Sequence, residues 1–279
     1  MFALWIGTIL LRPYVFIFLL VYLVLAIPAW GWRRTFAYLI LGYSLAWLAE
    51  FSSIHTGFPF GKYTYIQDPT IDREIWVAGV PLMDSLSFVF LSFAGLQTAR
   101  LLVEPLVNGQ VVKWDFRWEN PSSSLTWRVW FLAGLLTMGM DIIIDPVALR
   151  GEKWFLGQIY FYPTGGHYFG VPLANFAGWA LLAWTITGVF LLLDRRIILP
   201  HWGNWHGYPF DALGGAALFF GVIIFNLGVT FAIGELSLAL VGSLLFIGIL
   251  LLVLARLRRS IPGLEMPVSN PSDPFLTSE

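Results

Sequence analysis

Cysteine is absent from the 279 residues, which excludes disulfides, thiolate metal sites, haem thioether links and a cysteine nucleophile. Charge is scarce. Asp, Glu, Lys and Arg make up 12% of the chain, about half the share of an ordinary soluble domain. The formal net charge of −1 offers nothing to nucleic acid. Histidine is rare as well: His201 and His206 are spaced wrongly for one helix face, and His55 and His167 fall in two equivalent loops, where a metal pair is one reading and capping or solvent-facing positions are the favoured one. There is no phosphate-binding glycine loop and no nucleophile elbow. No metal and no other cofactor is expected.

What is present is apolar. Hydrophobic residues form 58% of the chain and the mean hydropathy is +0.74. So much apolar sequence leaves no room for a solvated surface, so the bilayer is the solvent. The expected fold is all-α: a polytopic transmembrane helical bundle with spans near 10–30, 35–51, 79–103, 127–148, 171–193, 210–231 and 236–255. Span two is short and breaks at Glu50. Residues 1–259 are read as one transmembrane domain, and the Pro- and Ser-rich stretch 260–279 as a disordered cytoplasmic tail. A cleaved signal peptide is not expected, because no basic start or small-residue cleavage site accompanies the first apolar run. The 14 Trp and 24 Phe are read first as interfacial belts and lipid-facing filler.

Basic residues set an orientation. Arg33, Arg34, Arg100, Lys113, Arg117, Arg128, Arg195, Arg196, Arg256, Arg258 and Arg259 fall on one side of the expected topology. The other side holds Arg12, Lys62, Arg73, Arg150 and Lys153. The bias predicts a multi-pass protein of the cell membrane with its C-terminus in the cytoplasm.

The chain also repeats itself. Gly79-Val80-Pro81-Leu82 opens span three and Gly170-Val171-Pro172-Leu173 opens span five, with Asp84 and Asn175 at equivalent offsets. Glu50 precedes Gly79 by 29 residues, and Asp141 precedes Gly170 by the same 29. Between them lie matching aromatic loops, Gly61-Lys62-Tyr63-Thr64-Tyr65 and Gly157-Gln158-Ile159-Tyr160-Phe161-Tyr162. Spans two-three and four-five therefore read as two copies of one unit, related by an axis along the membrane normal.

Ionisable groups in a bilayer cost several kcal/mol, so they mark function or a paired contact. Glu50, Asp84, Asp141 and Asp145 are the candidates, with Asp141 and Asp145 four apart on one helix face. Asp84 is placed about 7.5 Å into its span at 1.5 Å per residue. Asn175 falls at the same depth, and Asn226 is a further candidate. The structural alternative pairs each acid with a donor such as Arg150, Lys153, Tyr63 or Tyr65. Asp145, just before Pro146, is also read as a structural residue, and Asp211 and Glu235 as capping or solvated residues. Carboxyls in an apolar site favour the protonated form, because desolvation disfavours the charge. One can then act as a general acid, while a second carboxylate or an Asn holds a water. Such a set suits protonation of an alkene and capture of the carbocation, with Tyr and Trp faces steadying the cation. Asp141-x-x-x-Asp145 also matches one Mg²⁺-binding motif of membrane prenyltransferases, but the required second motif is missing.

The stretch Glu50-Phe51-Ser52-Ser53-Ile54-His55-Thr56-Gly57-Phe58-Pro59-Phe60-Gly61-Lys62-Tyr63-Thr64-Tyr65, with Gly79-Val80-Pro81, Asp141 to Pro146 and Gly170 to Phe176, resembles the membrane-integral carotenoid biosynthesis family. The resemblance runs from about residue 35 to 255. That family includes carotenoid 1',2'-hydratases and bisanhydrobacterioruberin hydratases. The resemblance implies addition of water across the terminal double bond of an acyclic carotenoid end, giving a tertiary alcohol. The implied partners are a carotenoid from the lipid phase, water and membrane lipids, with other enzymes of the pathway as candidates. Asp141 or Glu50 is the expected proton donor, and Asp84 the group that holds water or tunes the donor. Asp145 and Asn175 are expected to support them, and Tyr63, Tyr65, Tyr160 and Tyr162 to line or cap the pocket. A prenyl-transferring elongase, a cyclase and a proton-coupled transporter remain as alternatives.

Overall fold

The computed structural model describes residues 2–66, 74–108, 116–118, 126–155, 157–196 and 211–260. The helices are α1 (Phe2–Leu11), α2 (Pro13–Trp30), α3 (Trp32–Thr56), α4 (Leu82–Val103), α5 (Trp127–Ala148), α6 (Leu173–Arg196), α7 (Asp211–Ala232) and α8 (Leu236–Arg259). Seven of them, α2 to α8, are long and apolar enough to cross a membrane. The chain is therefore an all-α, multi-pass membrane bundle, as expected.

Local chemistry sets the boundaries. Arg12 interrupts the first apolar run, and Pro13 then opens α2, where its missing N–H costs nothing. Gly31, at φ 80°, separates α2 from α3. Span two is longer than expected: α3 runs 25 residues and passes Glu50 by more than a turn. Its last residues are polar, which lowers the hydropathy without breaking the helix. Thr56 donates to the Ser52 carbonyl at 2.8 Å, and the helix stops only at Gly57, in the left-handed region at φ 87°. Span three begins later than expected. Val80-Pro81 forms a strand, β3, paired with β2 (Trp76–Val77), so Asp84 sits in the first turn of α4 and not several residues into it.

The two copies fold alike. Ala78 and Gly79 take φ 49° and 83°; Phe169 and Gly170, 91 positions later, take φ 49° and 95°. Val77 pairs with Val80, and Tyr168 bridges Val171 at the same offset. The aromatic loops meet each other: β1 (Thr64–Tyr65) pairs antiparallel with β6 (Tyr160–Phe161), Thr64 opposite Phe161 and Tyr65 opposite Tyr160. Equivalent strands that cross a two-fold axis run antiparallel where they touch, as this ladder does. The equivalent pair Phe88 and Trp179 stacks across the same axis with ring centroids 4.0 Å apart. Helices α3, α4, α5 and α6 close a ring around it, with α2 and α7 packed outside α4. Burial follows that order: 78% of the apolar window of α4 is buried, against 17% for α2.

Candidate active site

The site lies at the end of the bundle where α3, α5 and α7 finish and α4 and α6 begin. A cavity there is lined by all nine residues singled out in the sequence, and by Asn226 as well. Helix ends deliver the polar groups: Glu50 from α3, Asp84 from α4, Asp141 and Asp145 from α5, Asn175 from α6. The β1–β6 ladder lays four tyrosines over them. Tyr63 lies 5.8 Å from Tyr162 and 5.7 Å from Tyr160, centroid to centroid, and Tyr65 lies 6.2 Å from Tyr160.

Glu50 is 3% exposed and accepts at Oε2 from the Tyr65 hydroxyl and from Ser85 Oγ, both at 3.1 Å. Tyr65 also faces the carboxyl of Asp84, which is half-buried because it borders the cavity. On the other side of the axis the arrangement is denser. Asp145 accepts from Tyr160 at Oδ1, and at Oδ2 from Tyr162 at 3.2 Å and from Asn175 Nδ2 at 3.1 Å. Asn175 gives its second amide hydrogen to Asp141 Oδ2 at 2.7 Å. Asp141 is fully buried, and its Oδ1 has no hydrogen-bond partner among the described residues.

The two acids therefore differ in how they are held. Three donors on Asp145 compensate a full carboxylate charge. Asp141 takes one donor on Oδ2, and its buried Oδ1 has none among the described residues, a pattern that favours a neutral carboxyl over a charged one. The four tyrosines remain donors at neutral pH. Burial lifts each hydroxyl above the ordinary tyrosine value, and nearby carboxylates push the same way: Glu50 at Tyr63, Asp84 and Glu50 at Tyr65, and Asp145 at Tyr160 and Tyr162.

Several expectations need correction. Arg150 and Lys153 do not pair with the site acids; Arg150 Nε and Lys153 Nζ bond Glu235 Oε1 at 3.1 and 2.6 Å. Glu235 is thus a paired, half-buried group and not a freely solvated one. Asp211 opens α7 but is buried. Asp145 lies in the last turn of α5, which runs past Pro146 to Ala148, and it lines the cavity. His55 lies in the last turn of α3, exposed, with Nδ1 2.7 Å from the Phe51 carbonyl. His167 is exposed too. His201, His206 and the tail 261–279 lie outside the described residues.

Other lining residues were not singled out in the sequence. Phe88 and Trp179 each follow a site residue, Asp84 or Asn175, by four positions, and that spacing was the available signal. Tyr14 and Phe18 share a face of α2 in the same way. Ser85, which does not line the cavity but donates to Glu50, gave no signal, since its counterpart in the second copy is Phe176.

These features define a class: a polytopic helical membrane protein with an acid cluster enclosed in an aromatic cavity on its own internal axis. Residues 11–249 match the family described as carotenoid biosynthesis protein, and the chain belongs to that family. No curated protein and no solved structure matches it.

Proposed function

We propose that this protein is a carotenoid hydratase, which adds water across the terminal 1,2 double bond of an acyclic carotenoid end. The observation that carries the reading is the pair Asp141 and Asp145, joined through Asn175, with the bare Oδ1 of Asp141 in an apolar, aromatic cavity. Membership of a carotenoid-biosynthesis family supplies the substrate class.

In this reading Asp141 gives its proton to the less substituted alkene carbon, and the alkene π pair forms the new C–H bond. The cation left is tertiary. The Asp145 carboxylate and the faces of Tyr63 and Tyr162 stabilise it. A water held by Asp84 attacks the cation through its oxygen, and its spare proton passes to the carboxylates, which restores the acid. The sum is alkene plus water to tertiary alcohol, with no redox change. Glu50, held by Tyr65 and Ser85, mirrors Asp141 across the axis and is the alternative donor. The substrate comes from the lipid phase. We further propose that the protein sits in the cell membrane with its C-terminus in the cytoplasm, on the strength of the basic residues on that side.

Expression in cells that make lycopene or γ-carotene, followed by chromatography with mass detection, tests the reading. The expected product is heavier by one water and carries a tertiary hydroxyl. Unchanged pigments of both kinds from well-expressed protein would overturn it.

A further inference from the structure

The cavity is not closed equally on its two flanks. On the flank between α3 and α6, Phe60 and Trp179 are 2% and 7% exposed, and Phe60 stacks on Phe88. Gly178 is bare there because a Cβ would lie 2.6 Å from the Phe60 ring and 2.9 Å from the Pro59 carbonyl oxygen. That wall is packed solid. On the flank between α2 and α7 the wall is one aromatic ring thick. Tyr14 lines the cavity, and its ring lies 5.9 Å from Phe155, which is 60% exposed, and 5.3 Å from Phe225. Trp154 also lines the cavity and lies 5.0 Å from Phe155.

Helix α2 is held at its ends. At one end Arg12 meets Glu74 at 3.2 Å; toward the other, the Tyr22 hydroxyl donates to the Thr35 carbonyl at 2.7 Å. Between these ties lies the Tyr14–Phe18 face, where ring contacts hold the seam to α7. Rings that meet edge and face part at small cost, whereas a buried ion pair does not.

We propose that the seam between α2 and α7 is the lateral portal of the site, and that a linear polyene hydrocarbon occupies it. The inference rests on the carotenoid reading above and adds the side of entry. The tip of the polyene passes the acids and stops against Phe60, Phe88 and Trp179, while the rest of the chain lies along Tyr14, Phe18 and Phe225. The occupant is fixed by continuity: Tyr14, which lines the cavity with the acids, touches the exposed Phe155, and only a slender apolar rod both fits between two helices and delivers an alkene to Asp141.

The absence of cysteine makes the test clean. Phe155→Cys places a single thiol at the portal, and Phe58→Cys places one at the closed flank, where Phe58 is 65% exposed. Both side chains are on the surface, so both variants should fold. Each is labelled with a maleimide in vesicles with and without lycopene. The expected result is loss of labelling at Phe155→Cys with lycopene present and unchanged labelling at Phe58→Cys. Protection at Phe58→Cys instead, or at neither site while pigment is still hydrated, would overturn the portal and leave the hydratase reading standing. Failure of the unsubstituted protein to hydrate or retain any carotenoid would sink both.

Discussion

At the scale of single residues, the proposed chemistry turns on the difference between Asp141 and Asp145. The two carboxyls come from the same face of α5, yet one holds three donors and the other one. Asp141→Asn keeps the shape and removes the acid. Turnover should fall about 10²–10⁴-fold while expression and melting temperature stay near those of the parent. Near-normal turnover in membranes containing Asp141→Asn would remove it from the mechanism. Replacing both Tyr160 and Tyr162 by Phe strips two of the three donors from Asp145 and leaves only Asn175 to hold it. Turnover should drop and the protein should lose stability, by roughly 1–3 kcal/mol for each unsatisfied group. A thermal shift assay on purified protein measures the second effect separately from the first. The repeat does not extend to this detail: Asn175 stands where the first copy has Asp84, so one half of the site has an amide to bridge two acids and the other has a carboxyl.

At the scale of elements, small residues and ion pairs decide how closely the helices approach. A Cβ on Gly95 would lie 2.3 Å from Thr137 Oγ1 and 3.0 Å from the Ala133 carbonyl oxygen, so α4 and α5 touch backbone to backbone there. Gly95→Val should therefore cost about 1–3 kcal/mol, as overpacking does, and denaturation in detergent would show it. The turn between α7 and α8 is tied differently. Arg150 and Lys153 hold the Glu235 carboxyl below its ordinary value of 4.5, the Lys153 hydrogen bond contributing most. A depressed carboxylate adds stability that is fully present above 4.5 and is lost as pH falls through the folded value. Glu235→Gln should thus lower the melting temperature at pH 7 and flatten its fall on acidification below about 4.5. An unchanged acid profile in the variant would mean that the pair adds nothing to stability.

At the scale of the whole molecule, the internal two-fold axis explains why the cavity exists where it does. Two copies of one helix pair enclose a space that neither encloses alone, and their loops seal it by pairing with each other. The axis also concentrates acids, because each copy brings its own. Metal chemistry separates the hydratase reading from a prenyl-transferring elongase. Hydration by membranes treated with a strong chelator should match untreated membranes, measured as product pigment. Loss of turnover on chelation, restored by Mg²⁺, would favour the elongase.

Apolar runs and their breaks determined the class, the number of long helices and most helix bounds, because a bilayer leaves a segment few ways to satisfy its backbone. The repeated Gly-Val-Pro and the equally spaced acids pointed to residues that line one cavity, because a parallel repeat brings equivalent residues around one axis. Sequence spacing could not tell that α3 runs on past Glu50, since Ser and Thr near the helix end lower hydropathy while their hydroxyls bond back to the helix. Nor could it separate Asp141 from Asp145, or send Arg150 and Lys153 to Glu235 and away from the acids. Those outcomes depend on which donors the β1–β6 ladder and the start of α6 carry into the cavity, and only the packing of the helices brings such distant residues within hydrogen-bonding reach.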